Sequence, residues 1–249
     1  MLAIVSAMPE EIALVVAALS RSETRELGRR VFHAGTFHGV EAVVVFSRMG
    51  KVAAAATITQ LIASYPVSRL VFSGVAGGVR SDLAIGDIVV ASSLIQHDMD
   101  ASPIFPRYEV PLLGQARFEA DADIRERLLA AAREFLAHDL GACVVAHELD
   151  FFGVSSPKAS VGVVASGDKF FASAAEVDEL RRRLPETACV EMEGAAAAQV
   201  CTEYGIPFGV IRTISDSANE SSVHDFPRFA REIARHYSAG ALERFSRAL

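Results

Sequence analysis

The chain has 249 residues, 51% of them hydrophobic, with 24 Lys and Arg against 31 Asp and Glu for a formal net charge of −7. A chain of this length and composition can bury a core and is neither disordered nor fibrous, while the acidic balance lacks the basic field that nucleic acid or an anionic membrane surface requires. No apolar run approaches the roughly 18 residues of a membrane span, no basic leader precedes Pro9, and Cys143, Cys189 and Cys201 fit neither a disulfide framework nor a metal-binding pair, so a cytoplasmic protein with reduced thiols is expected.

In chain order, residues 2–6 form an almost continuous apolar run and read as a strand covered on both faces. Residues 10–19 have helical spacing, and Pro9 followed by two acids suits a first turn, where the helix dipole favours negative charge. Residues 31–37 and 42–47 flank His38-Gly39-Val40-Glu41 and read as an antiparallel hairpin. A helix over 52–64, strands over 70–73 and 88–95, a long loop over 96–120 and a helix over 124–137 follow. Next come a strand over 142–146, a second long loop over 148–160, a strand over 161–165 and a helix over 174–184. The helix over 194–204 stops at Gly205 and Pro207; a strand over 208–214 and a helix over 226–245 complete the chain. Strands alternating with helices predict an α/β fold, a three-layer αβα sandwich around a central mixed sheet. Neither linker nor repeat interrupts it, so residues 1–249 are expected to form one domain.

Ligands of such sheets bind beyond the carboxyl ends of the strands. Met8, Glu10 and Glu11 follow the first strand, Gly74-Val75-Ala76-Gly77-Gly78 the fourth, Ser166-Gly167-Asp168 the strand at 161–165, and Ser215-Asp216 the last; Glu191-Met192-Glu193 precedes the helix at 194. Each has a plain structural explanation. Glu10 and Glu11 suit a first turn, Glu191 and Glu193 a helix cap, and Asp216 a turn, while Gly74–Gly78 lacks the spacing of a phosphate-binding loop. His97-Asp98-Met99-Asp100 lacks the second histidine of a metal site, and no Ser or Cys nucleophile signature occurs. The convergence of three carboxylates on one end of the sheet carries the expectation of a site.

Those residues sit in motifs that occur together in one order: Ala7-Met8-Pro9-Glu10-Glu11, Gly50-Lys51-Val52-Ala53-Ala54, Gly74-Val75-Ala76-Gly77-Gly78, Gly86-Asp87-Ile88-Val89, Ser166-Gly167-Asp168-Lys169-Phe170, Val190-Glu191-Met192-Glu193-Gly194-Ala195 and Arg212-Thr213-Ile214-Ser215-Asp216. From Leu2 to the last helix the chain resembles the bacterial 5′-methylthioadenosine/S-adenosylhomocysteine nucleosidases, of the purine nucleoside phosphorylase/uridine phosphorylase superfamily. The resemblance implies a nucleoside phosphorylase-like fold and a hydrolase that releases adenine with water alone, without metal or organic cofactor. It implies that Asp216 is the general acid at adenine N7, Glu11 the base that orients water, and Glu193 the carboxylate that holds the ribose hydroxyls beside an oxocarbenium-like ribosyl cation. Phe170 would stack on adenine, the Phe171 backbone would read its amino edge, and Val75, Ala76 and Gly77 would bring backbone to the base. Met192 would lie against the ribose, Ser215 would orient Asp216, and Met8, Met49 and Phe226 would contact the 5′-thioalkyl group. The resemblance further implies a homodimer whose 97–114 loop reaches the partner's site, bringing Ile104, Phe105 and Pro111 over it.

Some positions depart from the family pattern. Val75 stands where Ser is frequent, Phe171 where an aliphatic residue is usual, Arg48 where Gly is common, and the 148–160 segment is longer than the usual connection. Arg48 keeps a phosphorylase open as an alternative, since phosphorolytic relatives hold phosphate with basic residues. A futalosine-type nucleosidase is a second alternative. A non-catalytic binding relative would lack a catalytic carboxylate, whereas Glu11, Glu193 and Asp216 are all present.

Overall fold

Residues 2–6 alternate their side chains between two cores, and that alternation organises the molecule. The computed structural model describes the backbone of residues 1–216 and 222–249, with side chains in the second span from residue 226 onward. Strand β1 (Leu2–Ser6) is buried along its length and pairs in parallel with β4 (Val40–Phe46) and β5 (Arg69–Gly78). Leu2 and Ile4 face a core under helices α1 (Pro9–Ala17), α3 (Ala122–His138) and the C-terminal α9 (Arg235–Arg247), where Val15, Leu128, Phe135 and Phe245 pack. Ala3 and Val5 face the opposite core, built with α2 (Lys51–Ser64) and α7 (Gly194–Tyr204) from Ile58, Leu61 and Ala198. Helices on both faces of one mixed sheet make the expected αβα sandwich.

The remaining elements are β2 (Ser20–Leu27), β3 (Arg30–Phe37), β6 (Ile88–Gln96), β7 (Arg117–Glu119), α4 (Leu140–Cys143), α5 (Ala146–Phe151), β8 (Ala159–Ser166), α6 (Ala174–Arg183), β9 (Thr187–Glu191), β10 (Phe208–Asp216) and α8 (Ser222–Phe229). The strands run in the order β10-β6-β8-β9-β5-β1-β4-β3-β2, and β10 pairs a second time with β5. Strands β5, β10, β6, β8 and β9 therefore close into a ring, from which β1, β4, β3 and β2 extend. Register shifts in β6, β8 and β10 supply the local bends that such closure needs. The β3–β4 hairpin is antiparallel, as the sequence predicts.

Three segments differ from the sequence reading. Residues 142–146, predicted as a strand, lie in α4, a short link and the start of α5. Leu140 and Val144 are both buried, and this four-residue spacing belongs to a helical turn that a short apolar run does not reveal. The predicted loop at 148–160 begins in α5 and buries Phe152 and Val154 in the first core. The loop at 96–120 contains β7, which pairs with β6. Strand β2 has no apolar alternation because every residue except Leu27 is exposed, and β9 is a five-residue strand hidden between two helices. The last helix starts earlier than predicted, contains Pro227, and passes through one π-helical turn, Ala230–Ala234, before α9.

Helix α7 ends at Gly205, which adopts φ +66°, and a Cβ built there meets nothing within 4 Å. Substitution therefore isolates the backbone cost of the left-handed conformation, about 1–2 kcal/mol. Gly205→Ala is expected to lower Tm by about 2–6 °C without altering turnover at a permissive temperature; an unchanged Tm in thermal unfolding would count against this role.

Candidate active site

The strand ends and helix starts on one side of the sheet surround a cavity of about 440 Å³. The turn from β1 into α1 supplies Ala7, Met8 and Glu11; the end of β5 supplies Val75, Ala76 and Gly77; the turn from β9 into α7 supplies Val190, Glu191, Met192 and Glu193. Ser215 and Asp216 end β10, Lys169, Phe170 and Phe171 follow β8, Met49 precedes α2, and Phe226 comes from α8.

The carboxylates are held by backbone donors that the local fold leaves unpaired. Glu11, the third residue of α1, reaches back so that its Oε2 accepts from the Ala7 and Met8 amides at 3.1 and 3.0 Å and from the Ser6 hydroxyl. Its Oε1 accepts from the Val75 amide at 3.0 Å, tying β1 to the end of β5. Burial pushes the Glu11 carboxyl above its ordinary range, with the Ser6 hydroxyl and Arg212 opposing the shift. Glu191 accepts from the Glu193 amide at 3.0 Å, from the Gly194 amide at 2.8 Å and from the Ser166 hydroxyl, which fixes the start of α7. Glu193 accepts from the Gly50 amide at 2.8 Å. The Ser215 hydroxyl donates to Asp216 Oδ2 at 2.7 Å, and Asp216 lies beside Gly77 in the β10–β5 ladder.

Arg212, fully buried in the middle of β10, joins these groups. Its Nη2 binds Glu191 and lies 3.9 Å from Glu193 Oε2, and its guanidinium sits 4.7 Å from the Phe72 ring centroid. Gly74 leaves the room this needs: a Cβ there would overlap Arg212 Nη1 and lie 2.9 Å from Glu11 Oε1. One guanidinium thus serves a cluster of three buried carboxylates. Glu193 shows the consequence, because burial and then the Glu191 charge raise its pKa to about 8.

Of the residues named from the sequence, Glu11, Glu193, Asp216, Met8, Met49, Val75, Ala76, Gly77, Phe170, Phe171, Met192, Ser215 and Phe226 all line this cavity. Phe105 does not; it lies on the 97–114 loop, where neighbouring Ile104 is 83% exposed. Phe170 meets Phe226 edge to face at 6.0 Å across the cavity wall, and the buried Phe171 ring packs at 5.3 Å against His97. Arg48 turns away to donate to the Arg29 carbonyl at 2.8 Å. Sequence reasoning gave no role in the site to Arg212, Glu191 or Lys169. An arginine inside the apolar run 208–214 was the available signal, since a buried guanidinium needs carboxylate partners. Lys169 faces the cavity but pairs with Glu176 at 2.5 Å. Among the described residues, no group of three or more His, Cys, Asp or Glu is placed to hold a metal ion.

Comparison with known proteins identifies the relatives of this chain. The phosphorylase superfamily matches residues 1–247. The chain is 36% identical to the 5′-methylthioadenosine/S-adenosylhomocysteine nucleosidase of Chromohalobacter salexigens, over 94% of this chain and 92% of that protein. Against the protein of the same name from Anoxybacillus flavithermus it is 34% identical, over 95% and 94% of the two chains. Among solved structures, the Neisseria meningitidis 5′-methylthioadenosine/S-adenosylhomocysteine nucleosidase in complex with methylthio-immucillin-A superposes with a TM-score of 0.87 at 31% identity, covering 100% of this chain and 99% of that one. The futalosine hydrolase of Helicobacter pylori gives 0.84 at 32% identity, covering 100% and 97%.

The Glu193 shift has a stability consequence whose sign is fixed. Between its ordinary pKa of 4.5 and about 8, the native state keeps a proton that the unfolded chain has released, so stability is lost as pH rises through that window. Glu193→Gln removes this titration. Its stability relative to the parent is expected to improve by on the order of 1–3 kcal/mol between about pH 5 and pH 8. Thermal unfolding of both proteins across that range checks it, and a difference that does not grow with pH would contradict the placement of the proton.

Proposed function

The chain belongs to the phosphorylase superfamily and, within it, to the 5′-methylthioadenosine/S-adenosylhomocysteine nucleosidases, enzymes that cleave N-glycosidic bonds; on that premise we propose that it hydrolyses 5′-methylthioadenosine and S-adenosylhomocysteine to adenine and the 5-thioribose product. The observation that carries this reading is the convergence of Glu11, Glu193 and Asp216 on one cavity walled by Phe170. Adenine stacks on Phe170 and lies along the backbone of Val75, Ala76 and Gly77, with its amino edge at the Phe171 backbone and the ribose against Met192. Asp216, oriented by Ser215, gives a proton to N7, which makes adenine a competent leaving group as the glycosidic bond lengthens. The positive charge that develops on the ribose favours the ionised form of Glu193, whose carboxylate stabilises that charge and holds the ribose hydroxyls. Water adds at C1′ and loses its proton toward Glu11. Burial that raises the Glu11 pKa also makes its carboxylate a better base than a solvated one.

Met8, Met49 and Phe226 take the 5′-thioalkyl group, soft and aromatic surfaces suited to a thioether. The enzyme acts in the cytoplasm as a homodimer in which Phe105, with Ile104 and Pro111, covers the partner's 5′ pocket; support comes from the exposure of Ile104 (83%) and of Leu112 (93%) on that loop. Neither cofactor nor metal enters the reaction.

A futalosine-type substrate is the second reading, favoured by the likeness to the Helicobacter pylori futalosine hydrolase. Phosphorolysis is disfavoured, because Arg48 is engaged at the Arg29 carbonyl rather than in the cavity. Adenine release from 5′-methylthioadenosine, S-adenosylhomocysteine and 6-amino-6-deoxyfutalosine, each with and without phosphate, tests all three. Phosphate-independent release from the first two is expected, and strict phosphate dependence or turnover of the third alone would overturn the proposal.

Two substitutions probe the roles. Asp216→Asn is expected to lower kcat on the order of 10²–10⁴-fold, and near-parental turnover in a folded variant would remove Asp216 from the acid role. Phe105→Ala is expected to raise KM for 5′-methylthioadenosine with little change in kcat; steady-state kinetics showing an unmoved KM would argue against the cross-subunit contact.

A further inference from the structure

Helix α8 closes one side of the cavity with a residue it is poorly equipped to hold in place. Phe226 lines the cavity and meets Phe170 edge to face at 6.0 Å. Yet α8 has only eight residues, Pro227 in its interior removes one hydrogen bond from its ladder, and it runs straight into the π-helical turn Ala230–Ala234. A helix this short has little stability of its own and takes its position from side-chain anchors.

The anchors come from the 146–154 segment, which contributes nothing to the cavity lining. Arg228 follows Phe226 by two positions, about 200° further round the helix, and so leaves the opposite side. Its Nε and Nη2 donate to Glu148 Oε2 and Oε1 at 2.9 and 2.8 Å, a two-pronged pair that fixes orientation as well as distance. Its guanidinium lies 3.8 Å from the centroid of Phe151. The next residue, Phe229, meets Phe152 edge to face at 5.2 Å, and His147 Nε2 approaches Glu148 Oε1 at 3.0 Å. Glu148 is 8% exposed, so little water competes for its carboxylate.

We propose that Glu148 and Arg228 form a clamp that seats Phe226 in the cavity wall and sets the affinity for the 5′ substituent of the nucleoside, which makes them positioning residues for the hydrolysis. This rests on the function proposed above. The carboxylates of the site hang from β1–α1, β9–α7 and β10, none of which carries the clamp, so loosening it acts on binding and leaves the chemical step in place.

The test compares the full chain with Glu148→Gln and Glu148→Asp by initial rates on 5′-methylthioadenosine and, without substrate, by hydrogen–deuterium exchange. Glu148→Gln is expected to raise KM about 5–20-fold while kcat stays within about twofold. Glu148→Asp, which keeps the charge, should recover part of that KM. Peptides covering residues 226–234 should exchange faster in Glu148→Gln while peptides from the sheet are unchanged. A KM within twofold of the parent, or a kcat that falls as far as KM rises, overturns the proposal. If the parent protein releases no adenine from 5′-methylthioadenosine, the substrate assignment fails separately, and unchanged exchange at 226–234 in Glu148→Gln would still overturn the clamp.

Discussion

A single buried guanidinium shared among buried carboxylates is the constraint around which this site is built. Arg212 must leave water, and it does so only because Glu191 binds it directly and Glu193 lies within 4 Å. Its partners are in turn pinned: Glu191 by the first amides of α7, Glu11 by the turn from β1 and the amide of Val75. Four segments distant in sequence are tied to one charge, and Gly74 is the position that gives way so that the charge fits. The cluster offers three carboxyls to one guanidinium, and burial followed by the Glu191 charge holds a proton on Glu193 up to about pH 8. A cavity wall of this kind suits a reaction that develops positive charge on its substrate, and it does so at a standing cost to the resting protein.

Most of the fold and nearly all of the cavity lining were legible in the sequence, for reasons that differ by position. Runs such as 2–6 and 208–214 are apolar but for Ser6, Arg212 and Thr213 because helices cover both faces of the sheet, which makes them visible without alternation. Helix α7 was read at its true bounds because Gly205 and Pro207 mark its end. Strand β2 was invisible because it buries almost nothing, and α4 was mistaken because four or five apolar residues carry no period long enough to separate helix from strand. The closure of five strands into a ring was also out of reach, since it depends on a second pairing of β10 with β5 and on bends that local sequence does not announce.

The site shows the same division. Glu11, Glu193 and Asp216 could be named because each stands next to a strand end or a helix start inside a recognisable motif. Arg212 and Glu191 stood in those motifs as well, but their contribution depends on each other across 21 positions of sequence, a relation that only the fold expresses. The 148–160 segment stands out in the sequence by its length, and the partners that Phe151 and Phe152 find on α8 become apparent only through packing.

Ring closure has a consequence at the far end of the sheet. With β10 returned to β5, the long strand left with an unpaired side is β2, and an open row of backbone donors and acceptors invites another chain to add a strand. Arg21, Glu23, Arg25 and Glu26 load this edge with charge of both signs, and its residues before Leu27 are exposed. An incoming strand would have to strip water from those groups and match their pattern, so the edge resists intermolecular pairing and guards the sheet against aggregation.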